Sequence, residues 1–193
     1  MNQESDIAAA LNPLLRALDQ LHISYYVSGS IASSIYGAFR ATSDVDMVFS
    51  LDPKHVDELV SSLKSQYYID KDMIIDAIQR RSSFNLIHLK TMFKIDIFIL
   101  KERKFDQQSF QRRRKKKVDE ASNLAIYCAS PEDIILHKLE WFRMGHHISE
   151  RQWNDVLGVL KVQRDQLDLS YLKHWATQLD ILDLLEKALV ESK

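Results

Sequence analysis

Apolar and polar positions recur with two different periods along this chain, and the change of period divides it. Over 44–51 they alternate, so with period two Asp44 and Asp46 project from one side of a strand while Val45, Met47 and Phe49 project from the other. The run 93–100 follows the same rule, with Asp96 facing away from Ile95, Ile97 and Ile99. It pairs naturally with 84–89 as a hairpin around Lys90-Thr91. A β-rich run over 23–28 (Tyr25, Tyr26, Val27) ends at Gly29, 67–69 is a brief strand, and 124–128 is the last strand. Between them lie helical patterns. Asn12-Pro13 places a cap and a first-turn proline at the head of a helix over 13–22, with one earlier turn from Asp6 left open. A short helix over 31–36 stops near Gly37. Asp52-Pro53 starts a helix through Gln66, with Val56, Leu59, Val60 and Leu63 on one stripe, and 72–80 reads as a short helix.

After residue 128 every periodic segment has helical spacing. Ser130-Pro131-Glu132-Asp133 combines a capping serine, proline at the first helical position and acids in the first turn. Ser149 with Gln152 repeats the capping signal, and helices over 168–178 and 180–192 complete the tail. The expected organisation is a mixed α/β half over 1–128 and an all-helical half over 129–193. With no low-complexity linker between them, the halves are expected to pack as one unit.

Composition narrows the classes. An apolar fraction of 46% supports a packed core, and four glycines and three prolines argue against disorder. A net charge of −1 gives no bulk signal for nucleic acid or membrane, so any such partner must meet a local patch. No apolar run approaches the roughly 20 residues that span a bilayer. The polar then helical start (Met1 to Ala10) does not read as a signal peptide, and the single Cys128 excludes an internal disulfide. The expectation is a cytoplasmic protein with no membrane partner.

Three carboxylates on one sheet surface repel one another unless positive charge lies between them. A pair of divalent ions holding a nucleoside triphosphate answers that need, because two magnesium ions about 4 Å apart can activate both attacking and leaving oxygens. Asp44 and Asp46 could bridge both ions, and Asp96 could complete one and help remove the acceptor's proton. Gly29 allows close backbone approach to phosphate, and Ser30 offers a hydroxyl and amide N–H groups at a helix start.

Gly29-Ser30, Asp44-x-Asp46 and the distant Asp96 resemble the polymerase-β-like nucleotidyltransferase superfamily, and Arg40-Ala41-Thr42-Ser43-Asp44-Val45-Asp46 looks like its small bacterial members. Pro131-Glu132-Asp133, Lys138-Leu139 and Arg151-Gln152-x-x-Asp155 are similar to the abortive-infection type, some of which are toxins of toxin–antitoxin pairs. The resemblance implies a mixed β-sheet core with flanking helices and a C-terminal helical half. It also implies Asp44, Asp46 and Asp96 as metal ligands for Mg²⁺, and Gly29 with Ser30 as phosphate-binding residues of an ATP- or other NTP-dependent transferase. Lys138 would neutralise triphosphate charge, with Arg151 and Asp155 in support, while Arg40 either reaches a phosphate or decorates its loop. Gln152 stands where the resembled motif has an aspartate, and a neutral amide cannot be a negative ligand or a base.

The residues 112–117 (Arg112, Arg113, Arg114, Lys115, Lys116, Lys117) form the strongest charge run, of a kind common in mobile loops. Beside a nucleotide site it would also attract an RNA such as tRNA. Phe105, Phe110 and Tyr127 are expected in the core, as are Trp141, Trp153 and Trp175, and Cys128 as an inert core thiol. His146-His147 has no acid or cysteine at ligand spacing, so no zinc site is expected there. Two readings of different class stay open: a Mg²⁺-dependent nucleotidyltransferase acting on an RNA 3′ end, a protein or a small molecule, with an antitoxin as a further partner; or a catalytically silent nucleotide- or RNA-binding module of the same fold.

Overall fold

The structure, a computed structural model, describes residues 6–37, 39, 42, 44–117 and 125–193. Among them seven strands form one mixed sheet: β1 (Ser24–Val27), β2 (Asp44–Ser50), β3 (Tyr67–Tyr68), β4 (Ser83–His88), β5 (Lys94–Ile99), β6 (Arg114–Lys117) and β7 (Ala125–Cys128), in the order β3-β4-β5-β2-β1-β7-β6. The helices are α1 (Asp6–Gln20), α2 (Gly29–Tyr36), α3 (Val56–Leu63), α4 (Lys71–Arg80), α5 (Lys104–Gln111), α6 (Pro131–Met144), α7 (Glu150–Gln163), α8 (Leu169–Gln178) and α9 (Leu182–Glu191). Contacts divide the chain into two compact units, Met1–Val27 with Thr42–Cys128 and Ser28–Ala41 with Ala129–Lys193. No helix of the described residues is long and apolar enough to cross a membrane.

The first unit is built on β2 and β5, which run parallel with Asp44 opposite Lys94, Val45 opposite Ile95, Asp46 opposite Asp96 and Met47 opposite Ile97. The expected alternation is realised: Val45, Met47, Phe49, Ile95 and Ile97 are fully buried, while the aspartates on the other face keep partial access to solvent. Each buried aliphatic of this layer contributes roughly 1.5–3 kcal/mol. The sheet ends in β3, only two residues long, and in β6, whose four side chains are all cationic and exposed. Short edges and lysine-rich edges both discourage pairing with another chain.

Several expectations change. The first helix begins at Asp6 and passes through Pro13 instead of starting there. Pro13 removes one ladder donor, but Ala10, Leu11, Leu14 and Leu18 bury a continuous stripe that outweighs the loss. The helix after Asp52-Pro53 opens with a 3₁₀ turn (Pro53–His55) and ends at Leu63, short of Gln66. The charge run is not a loop, because 114–117 pairs antiparallel with β7. It is anchored by Arg113, whose guanidinium lies 4.4 Å from the Phe110 ring and 5.5 Å from that of Tyr127. Helix α5, not expected from the sequence, buries Phe105 and Phe110 and carries Asp106, which accepts from Arg103 Nε at 2.6 Å. Tyr127, on β7 between β1 and β6, is 38% exposed instead of core, and Trp141 is 51% exposed because it lies off the centre of the buried stripe of α6. Cys128 is fully buried as expected, and burial pushes its thiol up to about 12.

The second unit joins α2 to α6, α7, α8 and α9. Ser130 caps α6 by accepting from the Asp133 N–H and donates its hydroxyl to Asp133 Oδ2 at 2.6 Å. The buried acids behind this cap are satisfied locally. Glu132 accepts from the Asp168 N–H at 3.1 Å, and Asp133 Oδ1 accepts from the Tyr171 hydroxyl at 2.6 Å. Gly37 follows α2 where a Cβ would stand 2.9 Å from Gly158 C and Val159 N of α7, so the two backbones touch without an intervening side chain.

His88 gives the first unit a pH dependence. It is buried at the end of β4 against the Tyr67 ring, and its Nδ1 shares a 2.8 Å hydrogen bond with the Thr91 hydroxyl. Burial, then the charge of Lys90, lowers its pKa. The unfolded chain, with an ordinary value near ~6.5, therefore takes up the proton first, and stability is full above that pH and falls as pH drops below it. Urea midpoints measured between about pH 5 and pH 7 should rise with pH, and His88→Gln should flatten that component.

Candidate active site

The three sequence-predicted carboxylates fall on one face of the β2–β5 pair. Asp44 and Asp46 are two residues apart, about 7 Å along the strand, and Asp46 lies directly across from Asp96 at the ~4.8 Å strand spacing. Lys94, opposite Asp44, completes a block of four residues carrying three negative charges and one positive. The ammonium of Lys94 lies 2.8 Å from Asp96 Oδ2. Its pKa is raised chiefly by that hydrogen bond, with burial opposing and the charges of Asp96, Asp44 and Asp46 adding to the rise. At the other corner the Thr42 hydroxyl donates to Asp44 Oδ1 at 2.7 Å.

These two contacts occupy one oxygen each of Asp96 and Asp44. Among the described residues no group of three or more His, Cys, Asp or Glu side chains is drawn together closely enough to hold a metal ion. Like charges on adjacent strands repel, and the hydrogen bonds from Thr42 and Lys94 offset part of that repulsion. The donor set still fits a hard divalent cation, since carboxylate oxygens are the ligands such ions take and the backbone already places Asp44, Asp46 and Asp96 side by side. Lys94 and Thr42 were not singled out from the sequence. The signal for Lys94 was present, because Lys94 and Asp96 are two apart on a strand and must share a face.

The remaining predicted residues lie in the second unit. Gly29 opens α2 with φ 59°, a left-handed conformation that suits glycine, and Ser30 follows in the first turn. The hydroxyls of Ser33 and Ser34 turn back to the Ser30 carbonyl at 3.1 and 2.9 Å. Lys138 of α6 is buried and donates to Asp155 Oδ2 at 2.8 Å and to Gln152 Oε1 at 3.0 Å, both on α7. Gln152 thus serves as a neutral acceptor, and the cluster keeps one ammonium against one carboxylate. Arg151 is exposed, and Arg40 lies outside the described residues. His146 and His147 are exposed at the end of α6, with His147 stacked on Phe142.

A cleft of about 440 Å³ lined by Ser50, Leu51, Arg81, Leu100, Glu102 and Gln107 sits at the far ends of β2 and β5. Six residues of strand separate Asp44 from Ser50, roughly 20 Å. The cleft contains none of the predicted residues and is too distant to serve the carboxylates.

No protein-family model matches the chain. No curated protein sequence matches it either. Solved structures do. The lincosamide antibiotic adenylyltransferase LnuA with lincomycin bound superposes with a TM-score of 0.52 at 14% identity, covering 83% of this chain and 99% of that one. ANT(2″)-Ia in complex with adenylyl-2″-tobramycin gives 0.58 at 12% identity, covering 89% and 95%. A nucleotidyltransferase-like protein from Paracoccidioides brasiliensis gives 0.52 at 16% identity, covering 93% and 90%. The architecture is therefore of the nucleotidyltransferase type, as the sequence implied.

The Lys138–Asp155 pair is costly to break. Its side chains are 6% and 11% exposed, so Asp155→Asn leaves an ammonium facing two neutral amides. The substitution is expected to lower unfolding free energy by about 3 kcal/mol in a denaturant titration, whereas Arg151→Ala on the exposed surface should change it by less than about 0.5 kcal/mol.

Proposed function

We propose that this protein transfers a nucleoside monophosphate from a nucleoside triphosphate to an acceptor hydroxyl and releases pyrophosphate. The observation that supports this most is the block of Asp44, Asp46 and Asp96 on one face of adjacent parallel strands in a nucleotidyltransferase fold. In the reaction the acceptor oxygen attacks the α-phosphorus, the bond from that phosphorus to the bridging oxygen breaks, and pyrophosphate departs with the electron pair. Asp96 takes the acceptor's proton at a carboxylate oxygen, directly or through water. Asp44, Asp46 and Asp96 are the residues that would hold Mg²⁺, as two ions, which when bound supply Lewis-acid polarisation and charge neutralisation. Gly29 and Ser30 present backbone N–H groups to phosphate. Lys138 donates two of its three N–H bonds to Asp155 and Gln152, which leaves a third for a phosphate oxygen. Arg151 and Arg40 add positive charge.

Among acceptors, β6 favours an RNA over a small molecule. Its four exposed cations lie in the same sheet as the carboxylates, three strands from β2, or about 14 Å across the ladder. A toxin role opposed by an antitoxin protein rests on the similarity at Pro131 to Asp133, Lys138 and Arg151 to Asp155. The rival reading, a silent binding module, draws support from Gln152, a neutral amide where the resembled motif has an aspartate.

One assay separates these readings. Protein, Mg²⁺, each labelled nucleoside triphosphate and total RNA are incubated beside an Asp46→Ala control and an aminoglycoside panel. Label is expected on RNA, reduced by at least about 100-fold in the control. No transfer with any triphosphate, or equal transfer by the control, would sink the enzyme reading, and label on the aminoglycosides alone would move the acceptor to a small molecule. If RNA is the acceptor, Lys115→Glu with Lys117→Glu should raise KM for RNA and reduce its salt dependence, leaving KM for the triphosphate unchanged.

A further inference from the structure

We propose that Lys94 is a built-in counter-ion that competes with a divalent cation for Asp96, so that this lysine sets the metal affinity of the carboxylate face. The inference rests on reading Asp44, Asp46 and Asp96 as the residues that hold the metal.

The geometry is that of one block with four corners. Backbone pairing fixes Asp44 opposite Lys94 and Asp46 opposite Asp96. Lys94 and Asp96 also share a face along β5, because two residues separate them. The lysine stem therefore cannot leave the block, although its ammonium can. At 2.8 Å the ammonium occupies Asp96 Oδ2, a carboxylate oxygen that a bound cation would need. A hard divalent ion needs carboxylate oxygen at about 2.1 Å, so ion and ammonium cannot both take that oxygen in good geometry, and their charges repel at close range.

The exposure of the pair suits exchange. The Lys94 side chain is 46% exposed and that of Asp96 24%. An ion pair this accessible adds little to fold stability, so its loss to a better cation does not threaten the sheet. Solvent is available to receive the released ammonium. With an ion bound, Lys94 swings out and releases Asp96 Oδ2 to the ion. Without one, Lys94 offsets part of the repulsion among three carboxylates and keeps Asp96 Oδ2 occupied. An ordinary surface ion pair would share the distance but not the location, since here both neighbours across the strand pair are acids.

Mn²⁺, followed by the loss of its free-ion EPR signal, tests the idea without reference to catalysis. Wild type, Lys94→Met, Lys94→Gln, Lys94→Arg and Asp46→Ala are titrated at fixed ionic strength, each first checked for an unchanged circular dichroism spectrum. Both neutral variants are expected to bind Mn²⁺ about tenfold more tightly than wild type, from removal of one unit charge beside a divalent ion. Lys94→Arg, which keeps the charge, should stay within about twofold. Mg²⁺ should displace Mn²⁺ in every variant that binds it. Unchanged or weaker binding by the neutral variants, with wild-type binding still abolished by Asp46→Ala, overturns the role of Lys94 and leaves the carboxylate reading standing. Equal binding by wild type and Asp46→Ala overturns both.

Discussion

The repulsion among Asp44, Asp46 and Asp96 is the constraint around which the first unit is arranged. These acids could not be held side by side by their own interactions. They are held by what lies beneath: the parallel register of β2 and β5 and the fully buried layer of Val45, Met47, Ile95 and Ile97 on the opposite face. A slip of one residue would bury the acids and expose that layer. Hydrophobic burial therefore fixes the charged face, and Thr42 and Lys94 accommodate it locally. Strain of this kind is common where a fold is organised for chemistry more than for stability.

The second unit handles buried charge differently. Lys138 is neutralised one-to-one by Asp155, with Gln152 as an uncharged third partner, and Glu132 and Asp133 are paired with N–H and O–H donors at the head of α8. An aspartate at 152 would add a negative charge to a cluster that is already balanced. The departure from the resembled motif thus has a local electrostatic meaning, whatever its effect on catalysis.

Legibility in the sequence followed the strength of the local pattern. Strands β2 and β5 were readable because six core residues alternate with less buried ones, and the starts of α6 and α7 because Ser130 and Ser149 cap them as their spelling suggests. The charge run was misread because four consecutive cations carry no apolar alternation, and pairing with β7 and stacking of Arg113 on two rings decide its conformation from outside. Helix α5 was missed because only Phe105 and Phe110 mark its buried side. Of the site, the carboxylates were legible one by one, but not their contacts with Thr42 and Lys94, since composition and spacing do not rank competing donors.

Helix α2 leaves the chain directly after β1 yet is packed with α6 and α7, more than ninety residues further on. During synthesis Ile31, Ala32 and Tyr36 emerge long before the surfaces that bury them. At ribosomal rates of 5–20 residues per second, that interval is on the order of ten seconds. Throughout it an apolar helix must stay unpartnered or be shielded by a chaperone, and the backbone contact at Gly37 can close only when α7 has been made.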